Sequence, residues 1–291
     1  MQVRQIFFEN ENGDRICCLL QTSFFNDLSG LGFSNDYNFL TARDGFFYTA
    51  KEETEQQVIA GRLSFIERQN AYRDYRTFTS WLNTAKTLSI VYIPYGNEEY
   101  FVDVKPVSLS KGELDVGGFL SCDAEFITTT PWYNKEPLIL SMDGTYIDGA
   151  KQYDYKYDYK YGLGTTRGQL DLEIDGDYSG GMHFVAYGAI TDPVISLINR
   201  DTQENLGYLD LTGETFSADE ALVFNTTFKD LGVYRKTGTT LTDISDKVVI
   251  HQNRDVFFTI PVNTPVTLRL TVFGQLTTAT EIEIYKYWKT R

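Results

Sequence analysis

Beyond residue 140 the apolar side chains recur at every second position, and this one periodicity limits what the chain can become. "QLDLEIDG" presents Leu170, Leu172 and Ile174 on one side, "VTLRLTVFG" presents Leu268, Leu270 and Val272, and "EIEIYKYW" keeps the same pattern. A repeat of two sends alternate side chains to opposite faces of a strand, so each segment has a buried face and a wet one. Glycine, asparagine and aspartate punctuate the segments where turns are required. No convincing helical repeat occurs in this half. Roughly ten short strands of this kind make a β-sandwich or jelly roll.

The first half behaves differently. Strands can be placed only loosely over residues 1–60, although "QQVIAGRLSFIE" reads as one strand leading into the next element. From about Glu67 the period lengthens: Ala71, Tyr75, Phe78, Leu82 and Ala85 share one face, while Arg73, Asp74, Arg76 and Asn83 take the others. That is one amphipathic helix with an ordinary core stripe. The period then returns to two. "LSIVYIPYG" and "EEYFVDV" flank a turn at Gly96 and Asn97 as a hairpin, and "FLSCDAEF" points Leu120, Cys122, Ala124 and Phe126 one way and Ser121, Asp123 and Glu125 the other. Strands packed with a helix give an α+β domain, closed at "TTTPWYNKEP" by Pro131 and Pro137. The fold expected is therefore mainly β with one α-helix. It divides into an N-terminal α+β domain over residues 1–134 and a C-terminal β-sandwich over 135–291. A length of 291 residues suits two domains, since single cores rarely grow past ~250 residues.

The formal net charge is −14, from 40 acidic against 26 basic residues. A surface built to grip nucleic acid needs clustered lysine and arginine, which the chain lacks. No apolar run approaches the ~18 residues of a membrane-spanning helix. The first residues supply neither the basic flank nor the apolar core of a signal peptide, so the expectation is a protein made and kept in the cytoplasm of its producer. Cys17, Cys18 and Cys122 are too few for a disulfide framework and are read as buried thiols.

No residue of the sequence stands out as catalytic, cofactor-binding or metal-binding. His183 and His251 lie in strand-like stretches outside any ligand spacing, which makes them structural or surface histidines. "GLGTTRG", Gly162 to Gly168, has one residue too many for a dinucleotide loop and leads into a strand, so it is read as a turn. Asp175 and Asp177 form a "DGD" pair without the rest of a calcium loop, as at a hairpin tip. No carboxylate pair stands out for glycoside hydrolysis. A nine-residue stripe, "YDYKYDYKY" from Tyr153 to Tyr161, places five rings on one face of an extended segment. Such rings can stack on sugars or fill a core or interface, and the second use is favoured.

The run "AYRDYRTFTSWLNTAKTLSIVYIPYGNEEYFVDVKPVSLSKGELDVGGFLSCDAEFITTTPWYN" resembles the distal tail protein (Dit) family of long-tailed phages that infect Gram-positive bacteria. The likeness covers about residues 60–135 and rests on the order of its parts. These are a helix ending in Trp81 and Leu82, a "YIPYG" hairpin, "LSKGEL", "FLSCDAEF", and "TPWY" at Thr130 to Tyr133. The last strands are also similar to the family's C-terminal domain, except that its "LPxG"-like turn reads Ile260-Pro261-Val262-Asn263 and lacks the glycine.

The resemblance implies a virion structural protein of the tail tip, or baseplate. Six copies would form a ring through N-terminal belt domains, with galectin-like C-terminal sandwiches facing outward. The ring would meet the major tail tube protein on one side and the tail-associated hub or lysin protein on the other. Its rim would be open to receptor-binding or other baseplate proteins. DNA would pass through the channel without specific binding, and no membrane or cofactor would be involved. A free-standing carbohydrate-binding adhesion protein is the alternative, and a glycan-degrading tail enzyme is a third class.

Overall fold

A computed structural model describes residues 4–18, 23–41, 47–67, 69–94, 96–147, 165–252, 254–273 and 280–290. The chain forms two compact units, Met1–Lys135 with Trp288–Arg291, and Glu136–Tyr287. The boundary lies at Lys135/Glu136, and the residues after Tyr287 belong to the first unit.

The first unit contains β1 (Gln5–Asn10), β2 (Arg15–Cys17), β3 (Ser23–Ser29), β4 (Asn35–Thr41), β5 (Phe47–Thr54), β6 (Val58–Phe65), α1 (Ala71–Thr84), β7 (Leu88–Ile93), β8 (Tyr100–Leu114), β9 (Leu120–Thr128) and β10 (Trp132–Tyr133). Among the described residues its strand ladders are antiparallel. β2, β1, β7 and β8 lie side by side, and β8 continues through β9 and β6 to β3. Helix α1 turns Ala71, Phe78 and Leu82 inward, as its stripe predicts, and ends at Ala85 in extended backbone. Phe78 meets Phe8 at 5.5 Å and Phe65 at 5.9 Å between ring centroids, and Phe8 meets Phe126 at 4.9 Å. Aromatic pairs at such separations add to the burial of their area, so these rings knit the helix to both halves of the sheet. In β9 the expected alternation holds: Leu120, Cys122, Ala124 and Phe126 are buried, while Asp123 and Glu125 are exposed.

The second unit contains β11 (Leu138–Leu140), β12 (Asp143–Ile147), β13 (Thr165–Leu172), β14 (Tyr178–Tyr187), β15 (Ile190–Asn199), β16 (Asn205–Asp210), β17 (Thr215–Phe216), β18 (Glu220–Thr227), β19 (Asp230–Thr237), β20 (Thr240–Asp243), β21 (Val266–Phe273) and β22 (Thr280–Trp288), whose last residue, Trp288, belongs to the first unit. One sheet runs β11-β22-β14-β18-β19-β20, and the other runs β12-β13-β21-β15-β16 with β17 beside β15. Met182, Phe184, Leu222, Phe224, Ile282 and Ile284 of the first sheet share a core with Ile195, Leu197, Leu209, Leu268 and Leu270 of the second. Two antiparallel sheets joined by inward-facing apolar residues are a β-sandwich. Its helical content among the described residues is a single 3-10 turn at Ser245–Lys247.

Two local readings need correction. "DGD" is not a hairpin tip, because β13 and β14 on either side of it belong to opposite sheets, so the segment crosses between them. Asp175 there is bonded by Lys286. Thr165 to Gly168 of "GLGTTRG" are already strand, paired with β12 and β21, and residues 162–164 lie outside the described residues. The tyrosine stripe, 153–161, also lies outside them.

Candidate interaction surfaces

Two parts of the first unit expose apolar side chains on local scaffolds. Among the described residues strands β4 and β5 pair only with each other, and the side chains of β4 are almost all exposed. Tyr37 and Phe39 stack with centroids 5.9 Å apart and planes 22° apart, and Leu40 is 64% exposed. The Asn35 amide donates to the Tyr37 hydroxyl at 3.1 Å. A two-stranded ribbon is marginally stable by itself in water, and this one leaves aromatic rings uncovered.

The second scaffold is the β8–β9 turn. Leu114 and Phe119 are exposed and Val116 is fully exposed. Asp115 holds the turn: its carboxylate accepts from the Phe119 amide at 2.9 Å, its carbonyl accepts from the Gly118 amide at 2.9 Å, and Gly118 sits at φ 81°. The root is tied to α1, where the Tyr72 hydroxyl donates to Glu113 at 2.9 Å and the Lys111 ammonium lies 4.8 Å from the Tyr72 ring centre.

The "TPWY" stretch proves to be a clasp. Asp103 of β8 accepts from the Tyr133 hydroxyl at 2.7 Å and from Ser89 at 2.6 Å, while its amide donates to the Thr130 hydroxyl at 2.9 Å. Burial, then the Asp103 carboxylate, pushes the Tyr133 phenol well above its ordinary range. Trp132 is buried in the core. Beside the clasp, Glu9 is buried and accepts from Arg15 at 2.6 Å and from Lys135, and Arg15 also donates to both Glu99 oxygens at 2.8 and 2.6 Å. Burial raises the Glu9 pKa, but bonds from Lys135 and Arg15 outweigh it and hold the carboxyl below its usual value. Arg15 likewise holds Glu99 down. This network fastens the end of the first unit.

Among the described residues the two histidines have separate carboxylate partners. His183, in β14, has Nδ1 3.6 Å from Glu283. His251 lies in a loop and not in a strand, with Nε2 2.7 Å from Asp210. Among the described residues no three His, Cys, Asp or Glu side chains are grouped to hold a metal ion. Cys18 and Cys122 are buried free thiols, and burial lifts Cys122 to about 11. Cys17 is only partly buried, because it sits on the short outer strand β2.

Residues 5–129 match the family model described as the N-terminal domain of the distal tail protein. The fold is similar to the Dit protein (gp 19.1) of phage SPP1, with TM-score 0.64, 11% identity, and 98% of this chain and 99% of that one covered. It is also similar to a chain of the phage P2 baseplate in its activated conformation with calcium, with TM-score 0.61, 15% identity and both chains covered in full. No curated protein matches the chain.

Proposed function

We propose that this chain, whose residues 5–129 match the distal tail protein N-terminal domain, is a structural component of a phage tail tip and that six copies of it close into a ring. The ring joins the tail tube to the hub and host-adhesion device, and its work is mechanical. One observation carries the reading: the β4–β5 ribbon exposes Tyr37, Phe39 and Leu40, and among the described residues no other strand pairs with it. Aromatic side chains supply large contact area at interfaces. A ring uses one head-to-tail contact repeated, so a single projecting element per subunit that docks on the next copy is sufficient.

The acidic composition fits the passage of DNA. Six copies at −14 carry −84, and any part of that charge facing the channel repels phosphate. A strongly positive channel wall in a structure of the assembled ring would refute this step. Light scattering with negative-stain imaging tests the ring itself. Six copies of 33.3 kDa give a closed particle of about 200 kDa. A chain that stays monomeric alone and also enters virions as single copies would overturn the proposal.

A further inference from the structure

The geometry points to a binding site for a phosphate-bearing, hydroxyl-rich ligand on the outer face of the β12-β13-β21-β15-β16 sheet, centred on Arg269 and Arg254. Antiparallel register sets Gln169, Arg269, Ser196 and Tyr208 side by side across β13, β21, β15 and β16. Their sequence neighbours Leu170, Leu268, Leu270, Ile195, Leu197 and Leu209 belong to the core, so alternation turns this row to the opposite face. Adjacent strands lie about 4.8 Å apart, which puts Arg269 and Tyr208 roughly 10 Å apart at the backbone. Arg254 brings a second guanidinium to the row, 4.5 Å from the centre of the Tyr208 ring. That ring is fixed in turn by the His251 imidazole, edge-on at 5.1 Å and 85°.

The charges around the row select the ligand. With 40 acidic residues in the chain, an arginine finds a carboxylate easily, yet neither Arg254 nor Arg269 has an ion-pair partner among the described residues. Arg269 Nε is shielded from water and has no hydrogen-bond partner. Two carboxylates of the same face, Asp171 and Asp210, are engaged elsewhere. Asp171 accepts from Thr267 at 2.6 Å and pairs with Arg200 at 3.4 Å, and Asp210 accepts from Thr212 at 2.6 Å and faces His251. Two guanidiniums left over beside one amide match a phosphate with hydroxyl groups attached: the forks take the phosphate oxygens, and Gln169 takes a hydroxyl. Duplex nucleic acid fits poorly, because two cations displace few counterions and the net charge of −14 repels a polyanion.

Calorimetric titration of the full chain with glycerol 3-phosphate, inorganic phosphate, glycerol and a short DNA duplex tests the site. Saturable binding of glycerol 3-phosphate, tighter than either phosphate or glycerol, is expected. R254Q and R269K should each weaken it at least about tenfold, as the loss of a charge-assisted hydrogen bond does. R254Q alters an exposed side chain and should unfold at the wild-type temperature, and R269K keeps the charge and most of the stem. No saturable binding of glycerol 3-phosphate overturns the site. So does equal affinity for inorganic phosphate, which would mean an adventitious ion only. Equal affinity for glycerol, tighter binding of the duplex, or unchanged binding in both variants would have the same consequence. Ring assembly does not enter this measurement, so its outcome is independent of the proposed joining role.

Discussion

Asn263 has φ 50°, a left-handed backbone conformation that glycine adopts freely and asparagine tolerates best among the other residues. By the resemblance noted in the sequence it stands where a glycine is expected, and its backbone amide donates to the Ile174 carbonyl at 2.8 Å. The turn therefore survives the loss of glycine because asparagine can take the same conformation. Asn263→Gly should unfold within about 1 kcal/mol of wild type, and Asn263→Val should lose about 1–2 kcal/mol or more, since a β-branched side chain is strained there. Urea denaturation measures both. A second residue-scale expectation concerns acid. The folded pKa of Glu9 is depressed, so its contribution to stability is present above the unfolded value of about 4.3 and is lost as pH falls through the folded one. Glu9→Gln should be destabilised at neutral pH, and the gap to wild type should narrow on acidification below about pH 4 in unfolding titrations. A constant gap would show that packing and not charge is responsible.

At the scale of elements, the ribbon gives the sharpest test. Replacing exposed Phe39 and Leu40 by serine should leave the unfolding midpoint nearly unchanged, because surface substitutions usually stay within about 0.5 kcal/mol. The same change should abolish the large particle in size-exclusion chromatography with light scattering. Assembly unchanged by it would remove the ribbon from the interface. This element was also the least legible in the sequence. A strand with one buried face shows alternation, as "FLSCDAEF" and "VTLRLTVFG" do, and helix α1 announces itself through Ala71, Phe78 and Leu82. A ribbon exposed on nearly every side chain has no buried face to create a period, so strands in this stretch can be placed only loosely from the sequence. His251 misleads for another reason: the apolar run Val248 to Ile250 before it has strand-like composition, but the segment is tied to β16 by single backbone bonds, from the Val249 amide to the Asp210 carbonyl and from the Tyr208 amide to the Asp255 carbonyl, both at 2.9 Å, and not by a ladder. The arginine row was invisible because it exists only across four strands whose order depends on register.

For the whole molecule, charge opposes association. Subunits at −14 repel one another over the Debye length of about 10 Å in 0.1 M salt, and added salt shortens that range. The fraction of protein in the large particle should therefore rise as sodium chloride is increased from low to moderate concentration. An assembly that dissolves instead would mean that its contacts are ion pairs, contrary to the apolar ribbon as the contact.

The first unit is interrupted: residues 136–287 come between Lys135 and the segment beginning at Trp288, whose ring meets Tyr100 edge-on at 5.4 Å. During translation, the sandwich must leave the ribosome before the aromatic plug of the earlier domain exists. Chains broken off inside the insertion lack that plug, so premature products would be poorly equipped to join a growing virion.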